Sequence, residues 1–175
     1  PKTLEIDHDY GQYERFFPLT AYHKYIIRSC VKIGEVKDGM SVLDYGCGRQ
    51  MLHHALPTGI EYIGYDIVPE FTDVDDIAKR NYDVIFAIQV LQYINQTGIN
   101  QLADLFSQLS KTLIVMVPTK SLFKRFLDLI MRLQKDNEVF IHEAKEIYKF
   151  LDHYFLCEKV KSVFGVSEIS RWKIR

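Results

Sequence analysis

A short apolar run that ends in an acid and two glycines constrains this chain more than any other segment: Val42-Leu43-Asp44-Tyr45-Gly46-Cys47-Gly48. The run has the length of a strand. The glycines let the backbone turn tightly and leave no Cβ in the way of a ligand. The residues that follow, Met51–Leu56, read as a short helix stopped by Pro57. A helix N-terminus there would offer free N–H groups to a ligand. A generic dinucleotide loop would place a third glycine at position 51, and that residue is Met51. Asp44, just ahead of the first glycine, has the wrong charge for a pyrophosphate and suits a ligand with a cationic or neutral head.

The rest of the chain repeats the same rhythm. Tyr62–Asp66, Tyr82–Ile88 and Thr112–Val117 are further apolar runs, and Phe71–Ile77 reads as a weak, abbreviated strand. Helical spacing marks Leu19–Ile33 and Ile99–Leu109, the latter through Leu102, Leu105, Phe106 and Leu109. Strands without alternation, separated by helices, predict a parallel sheet covered on both faces. Right-handed crossovers then make the fold α/β and doubly wound: a mostly parallel, seven-stranded-type sheet with an abbreviated third strand region. The tail breaks the rhythm. After helices at Ser121–Gln134 and Glu143–Leu151, the runs Tyr154–Val160 and Ser167–Ile174 lie six or seven residues apart around Gly165. That spacing predicts a C-terminal antiparallel hairpin.

Composition narrows the class. With 175 residues, 47% apolar and 26% charged, the chain can bury one substantial core. Cys30, Cys47 and Cys157 are far apart and odd in number, so neither a disulfide scaffold nor a zinc-ligand pairing is expected, and no metal site. A reducing, cytoplasmic location is the plain expectation. No run of about 20 apolar residues suggests a transmembrane helix, and the first residues do not read as a signal peptide. The net charge of -1 gives no strong nucleic-acid signal. It hides an asymmetry: -6 over residues 1–110 and +5 over 111–175, which marks either a surface for an anionic substrate or a solvated helix face.

From Tyr13 to the C-terminus the chain resembles the class I S-adenosylmethionine-dependent methyltransferases. Their motif I has the pattern acid-x-Gly-x-Gly, as in Asp44-Tyr45-Gly46-Cys47-Gly48. The resemblance implies one methyltransferase domain over 1–175, with a helical and aromatic N-terminal cap over 1–38, a Rossmann-like core over 39–175 and S-adenosyl-L-methionine as cofactor. It implies that Asp44, Tyr45, Gly46, Cys47 and Gly48 border that cofactor. Asp66, with Ile67 beside it, would hold the ribose hydroxyls, since a carboxylate can accept from both. Asp75 or Asp76 would lie against the adenine, and Ala87, Ile88 and Gln89 would line the methionine part. Two departures stand out. Gln50 occupies a motif position where small residues are usual, and the stretch from Asp66 to Tyr82 is too short for a full helix and a full strand. The adenine side should therefore be more open than usual.

The resemblance further implies in-line methyl transfer to a small-molecule, glycan or lipid-type acceptor, a reaction in which positioning does most of the work. An oxygen or nitrogen acceptor often needs a base. His23, His53, His54, His142 and His153 are the candidates, and His142, at the start of a helix, ranks first as base or substrate contact. Tyr13, Arg15, Phe16 and Phe17 either close over the cofactor or tuck the first helix onto the core. Gln92 and Tyr93 follow the fourth strand and could face the acceptor; Tyr93 is equally a core aromatic. The basic, amphipathic helix 121–134 either covers the sheet or touches a membrane surface. No Asn/Asp-Pro-Pro-Tyr/Phe signature follows the fourth strand, where Ala87-Ile88-Gln89-Val90 stands, which lowers the case for methylation of planar amides or exocyclic nitrogens. Two alternatives remain: a non-catalytic methyltransferase-like partner subunit, or an NAD(P)-binding oxidoreductase. The oligomeric state is left open.

Overall fold

The computed structural model describes residues 17–119 and 144–175. The chain enters through helix α1 (Phe17–Gly34) and strand β1 (Ser41–Tyr45). Strand β2 (Glu61–Tyr65), β3 (Val84–Ile88), helix α2 (Gln96–Leu109) and β4 (Thr112–Pro118) follow. Helix α3 (Ala144–Leu151) then leads into β5 (Phe155–Val163) and β6 (Ser167–Ile174). The strand order is β2-β1-β3-β4-β6-β5. β2, β1, β3 and β4 pair in parallel, whereas β6 runs antiparallel to both β4 and β5.

Burial explains why the strands read as unbroken apolar runs. Leu43, Ile85, Ala87, Leu113, Val115 and Val117 pack into one core layer with Phe106 of α2 and Ile147 of α3. Their chain neighbours Val42, Val84, Phe86, Ile114 and Met116 pack into the opposite layer with Ile26, Ile27 and Cys30 of α1. Every position faces a covered side, so a period of two has nothing polar to alternate with. Helix α2 starts where Asn95 accepts the Gly98 N–H at 2.8 Å, a side-chain cap that satisfies an otherwise free donor. Gly34 ends α1 against Phe86, whose Cζ would lie 2.9 Å from an added Cβ.

Three expectations change. The sheet has six strands among the described residues, because Phe71–Ile77 forms no strand. In its place are single 3-10 turns at Pro69–Phe71 and Ile77–Lys79. Three aspartates within these seven residues, with Pro69 just ahead of them, disfavour a ladder. Asp73 instead closes the edge of β2: its N–H donates to the Gly64 carbonyl at 2.8 Å and its carboxylate accepts the Gly64 N–H at 2.7 Å.

The expected helix at Met51–Leu56 is only a 3-10 turn at His53–Ala55. Gln50 sits at φ 56°, a left-handed conformation that cannot continue into a right-handed helix. The hairpin is also tighter than its sequence suggests. β5 runs on through Lys161 and Ser162 to Val163, leaving Phe164, Gly165 and Val166 as the connection. β5 is an edge strand with one face in solvent, so polar residues do not end it.

Candidate functional site

The carboxyl ends of β1, β2 and β3 lie side by side, as the register pairs Asp44 with both Gly64 and Phe86. In open α/β sheets this end is where ligands bind. The loop after β1 is held from the neighbouring strand: the Gly46 and Cys47 N–H groups both donate to the Tyr65 carbonyl, at 2.7 and 3.1 Å. Gly46 (φ 75°) has Val90 so close that an added Cβ would sit 2.6 Å from its Cγ2. Gly48 (φ 47°) is different. A Cβ there would meet no protein atom within 4 Å, so the space beside it is open.

Asp44 is buried at the root of this loop, 4% exposed. Its carboxylate accepts the Tyr62 hydroxyl at 3.0 Å. Burial pushes its pKa up to about 7, with the Asp66 charge adding to the rise and the Tyr62 hydrogen bond opposing it. No cation neutralises Asp44 among the described residues. An acid that costly to ionise is relieved by a bound positive group. Tyr62 is in turn held far above the ordinary tyrosine range, by burial first and by the Asp44 charge second. The His53 ring stacks on Tyr62, centroids 4.4 Å apart and planes within 3°.

Asp66 ties the loops together. One of its oxygens accepts the Gly48 N–H at 2.9 Å and the other the Val68 N–H at 3.0 Å. Each carboxylate oxygen has a second lone pair, so Asp66 can still accept from hydroxyls while these bonds hold. Ile67 beside it is 78% exposed.

The remaining expected residues divide. Ala87 is fully buried under the site, while Ile88 and Gln89 are half-buried at the end of β3. Gln89 has φ 56° and donates its N–H to the Met116 carbonyl at 2.9 Å. The Tyr45 ring points into the core, stacked on Tyr65 at 5.2 Å and edge-on to Phe106, so only its backbone borders the loop. Cys47 turns its thiol to the Phe71 carbonyl at 3.2 Å, and burial raises the thiol pKa to about 12, so it is no nucleophile. Asp75 and Asp76 line an open cleft of about 560 Å³ along the β2 edge, with Ile63, Lys79, Arg80 and Tyr82. Asp76 is spent there on a local cap, accepting the Ala78 N–H at 2.9 Å. This cleft flanks the sheet edge and is not the opening beside Gly48.

His142 and the helix 121–134 lie outside the described residues, as do Tyr13, Arg15 and Phe16. Of the other histidines, His53 joins the site only through its stack on Tyr62, and His153 donates its Nδ1–H locally to the Lys149 carbonyl at 2.7 Å.

Two residues that the sequence reading passed over, Tyr62 and Asp73, also shape the site. Tyr62 lies two residues from the partner of Asp44 on the same face of the next strand, a diagonal relation that needs the register to be seen. Asp73 accepts the Gln50 amide at 3.0 Å as well as the Gly64 N–H. Gln50 therefore turns its side chain toward residues 71–73, bonding the Phe71 carbonyl at 3.3 Å too. Its size does not fill the space beside Gly48.

The arrangement is a glycine loop at the carboxyl end of a parallel sheet, set between two acids, Asp44 and Asp66, with open space beside Gly48. The chain belongs to the methyltransferase-domain family, which it matches over residues 20–161. It is an S-adenosylmethionine-dependent methyltransferase of class I fold. No curated protein matches the chain. Solved structures share its fold. The protein bound by the Trm112 methyltransferase activator in a Haloferax volcanii complex superposes with TM-score 0.70 at 14% identity, 94% of each chain being covered. A TehB-like S-adenosylmethionine-dependent methyltransferase from Corynebacterium glutamicum gives 0.67 at 13% identity, covering 94% of this chain and 97% of the other. The magnesium protoporphyrin IX methyltransferase of Synechocystis, with its methyl donor bound, gives 0.65 at 18% identity, covering 89% and 81%. No helix is long and apolar enough to cross a membrane among the described residues.

Proposed function

We propose that the glycine loop seats S-adenosylmethionine and that the methyl group passes to a small-molecule, glycan or lipid-type acceptor. The observation that carries the reading is the buried, uncompensated acid at the loop. Asp44 is poised to ionise against the donor's ammonium, with Asp66 within the same loop network for the ribose. The open space beside Gly48 leaves room for the ligand, and the side chains of Tyr45, Cys47 and Gln50 all turn away from it. Ala87, Ile88 and Gln89 flank the donor's amino-acid part. Asp75 rather than Asp76 faces the adenine in this proposal, because the Asp76 carboxylate already caps a turn.

The donor supplies an electrophilic methyl on a sulfonium, whose leaving group is a neutral thioether. The chain's own contribution is to hold and orient. Acids at Asp44 and Asp66 favour the positively charged donor over its neutral product, and positioning of the donor against the acceptor supplies the rest. His142 is proposed as the base that takes a proton from the acceptor. The whole of 1–175 is proposed as a single domain.

Calorimetric titration with S-adenosylhomocysteine and with NADH, on the chain and on Asp66→Ala, tests the reading. Micromolar binding of the first ligand, reduced at least tenfold in the variant, is expected; binding of NADH alone overturns it. Transfer of labelled methyl groups to a panel of small-molecule, glycan and lipid acceptors, with His142→Ala beside the parent, tests the base: a variant as active as its parent removes His142 from the mechanism.

A further inference from the structure

The hairpin tip and the outer face of α1 form a rim that the methyl-transfer reading does not use. Pro118, at the end of β4, pairs with Ser167, at the start of β6. β4 is parallel to β3, and β3 to β1. The β5–β6 connection therefore stands at the same end of the sheet as the glycine loop. It is fixed there by Thr119, whose N–H and hydroxyl donate to the carbonyls of Val166 and Gly165, both at 2.7 Å. Tyr22 of α1 joins the same corner through a 2.7 Å hydrogen bond to Ser167.

Phe164 at the tip is 70% exposed and has φ 52°. A bulky residue in the left-handed region is unusual, and glycine is what such a turn ordinarily takes. The position thus carries backbone strain and an apolar side chain in water, with no compensation in the core. Tyr25 of α1, 44% exposed, lies beside it with ring centroids 5.2 Å apart.

Cations surround the pair. Lys161 lies over the Tyr25 ring at 5.1 Å, bonds the neutral Ser29 hydroxyl at 3.1 Å and pairs with no acid among the described residues. Lys24 and Arg28 flank Tyr25 on the open face of α1, lining a shallow groove of about 470 Å³. Neither forms an ion pair among the described residues, and α1 carries Lys24, Arg28 and Lys32 with no acid at all. Single surface apolar residues are ordinary, but an exposed aromatic tip ringed by unpaired cations has the chemistry of an anionic lipid surface: rings for the acyl boundary and cations for the headgroups.

We propose that this rim, Phe164 and Tyr25 with Lys24, Arg28 and Lys161, docks the protein on a membrane surface bearing anionic lipid. Docking there turns the end of the sheet that carries the glycine loop toward the lipid. The inference stands on the rim alone and does not depend on which acceptor the enzyme methylates.

The test is co-sedimentation of the full chain with phosphatidylcholine vesicles and with vesicles containing one quarter phosphatidylglycerol, at about 0.1 M salt. Sedimentation with the anionic vesicles only, lost as salt is raised, is expected. The Lys24→Ala, Arg28→Ala double variant should partition about thirtyfold less, from two headgroup contacts. Phe164→Gly should also lose vesicle binding, while its melting temperature holds or rises because the strained turn is relieved. Lys111→Ala, an exposed cation at the opposite end of the sheet, should partition as the parent does. Affinity for S-adenosylhomocysteine serves as the folding control for each variant. Equal sedimentation with both vesicle types, no sedimentation with either, variants that partition like the parent, or a rim that retains only RNA in a gel-shift assay would each overturn the proposal.

Discussion

Replacing Asp44 with asparagine removes a charge while keeping the shape and an acceptor oxygen for the Tyr62 hydroxyl. The native carboxyl titrates at about 7 instead of its ordinary 3.8, chiefly because it is buried. The folded state thus holds a proton that the unfolded chain has already lost, and stability falls as pH rises between these two values. About three pKa units at about 1.4 kcal/mol each put the cost near 4 kcal/mol, fully present above pH 7 and absent below pH 4. Urea unfolding followed through Trp172, the single and buried tryptophan, measures it. Asp44→Asn should match the parent near pH 4, gain on it steadily to pH 7, and stay ahead by up to about 4 kcal/mol at pH 8. The same variant should bind S-adenosylhomocysteine about tenfold to a hundredfold more weakly, as expected for a lost charge-assisted bond of about 1.5–3 kcal/mol. Binding to the parent at pH 7 should release part of a proton, visible as a heat that depends on the buffer. A stability difference flat from pH 4 to pH 8, or unchanged ligand affinity in the variant, refutes the reasoning.

The two glycines of the loop should respond differently to alanine. Gly46→Ala drives a Cβ into Val90 and should cost about 3 kcal/mol or more in stability, whereas Gly48→Ala meets open space and should cost about 1 kcal/mol while weakening ligand binding, by urea unfolding and calorimetry. Asp73→Ala strips the acceptor from Gly64 and Gln50 and should cost about 1–2 kcal/mol, with faster hydrogen exchange at Gly64. Gln50→Gly should be about 1 kcal/mol more stable than Gln50→Ala in the same unfolding assay, because both lose the bonds to Phe71 and Asp73 but only glycine relieves φ 56°.

The architecture was legible because it rests on local patterns. Apolar runs too long to alternate imply strands covered on both faces, and Thr112–Pro118, buried along nearly its whole length, is such a run. Reversal of the last strand followed from a connection too short for a crossover. Acid-x-Gly-x-Gly after the first strand located the loop, since the conformations at Gly46 and Gly48 are ones that glycine reaches at low cost.

What the sequence by itself determined, then, is the set of elements, their order, and the loop on which a ligand can sit. Only the tertiary structure decided which side chains turn toward that loop. Tyr45 and Cys47 stand within the motif, yet one packs on Tyr65 and Phe106 and the other on the Phe71 carbonyl. Asp44 acquires its pKa from burial, and its hydrogen-bond donor Tyr62 comes from the neighbouring strand, eighteen positions along the chain. The missing third strand was half visible in a short, acidic segment, but not that Asp73 would take its place against Gly64. Periodicity is a property of neighbours in the chain and can be read from it. Desolvation, register and long-range hydrogen bonds arise between residues distant in the chain, and they exist only once the sheet has formed.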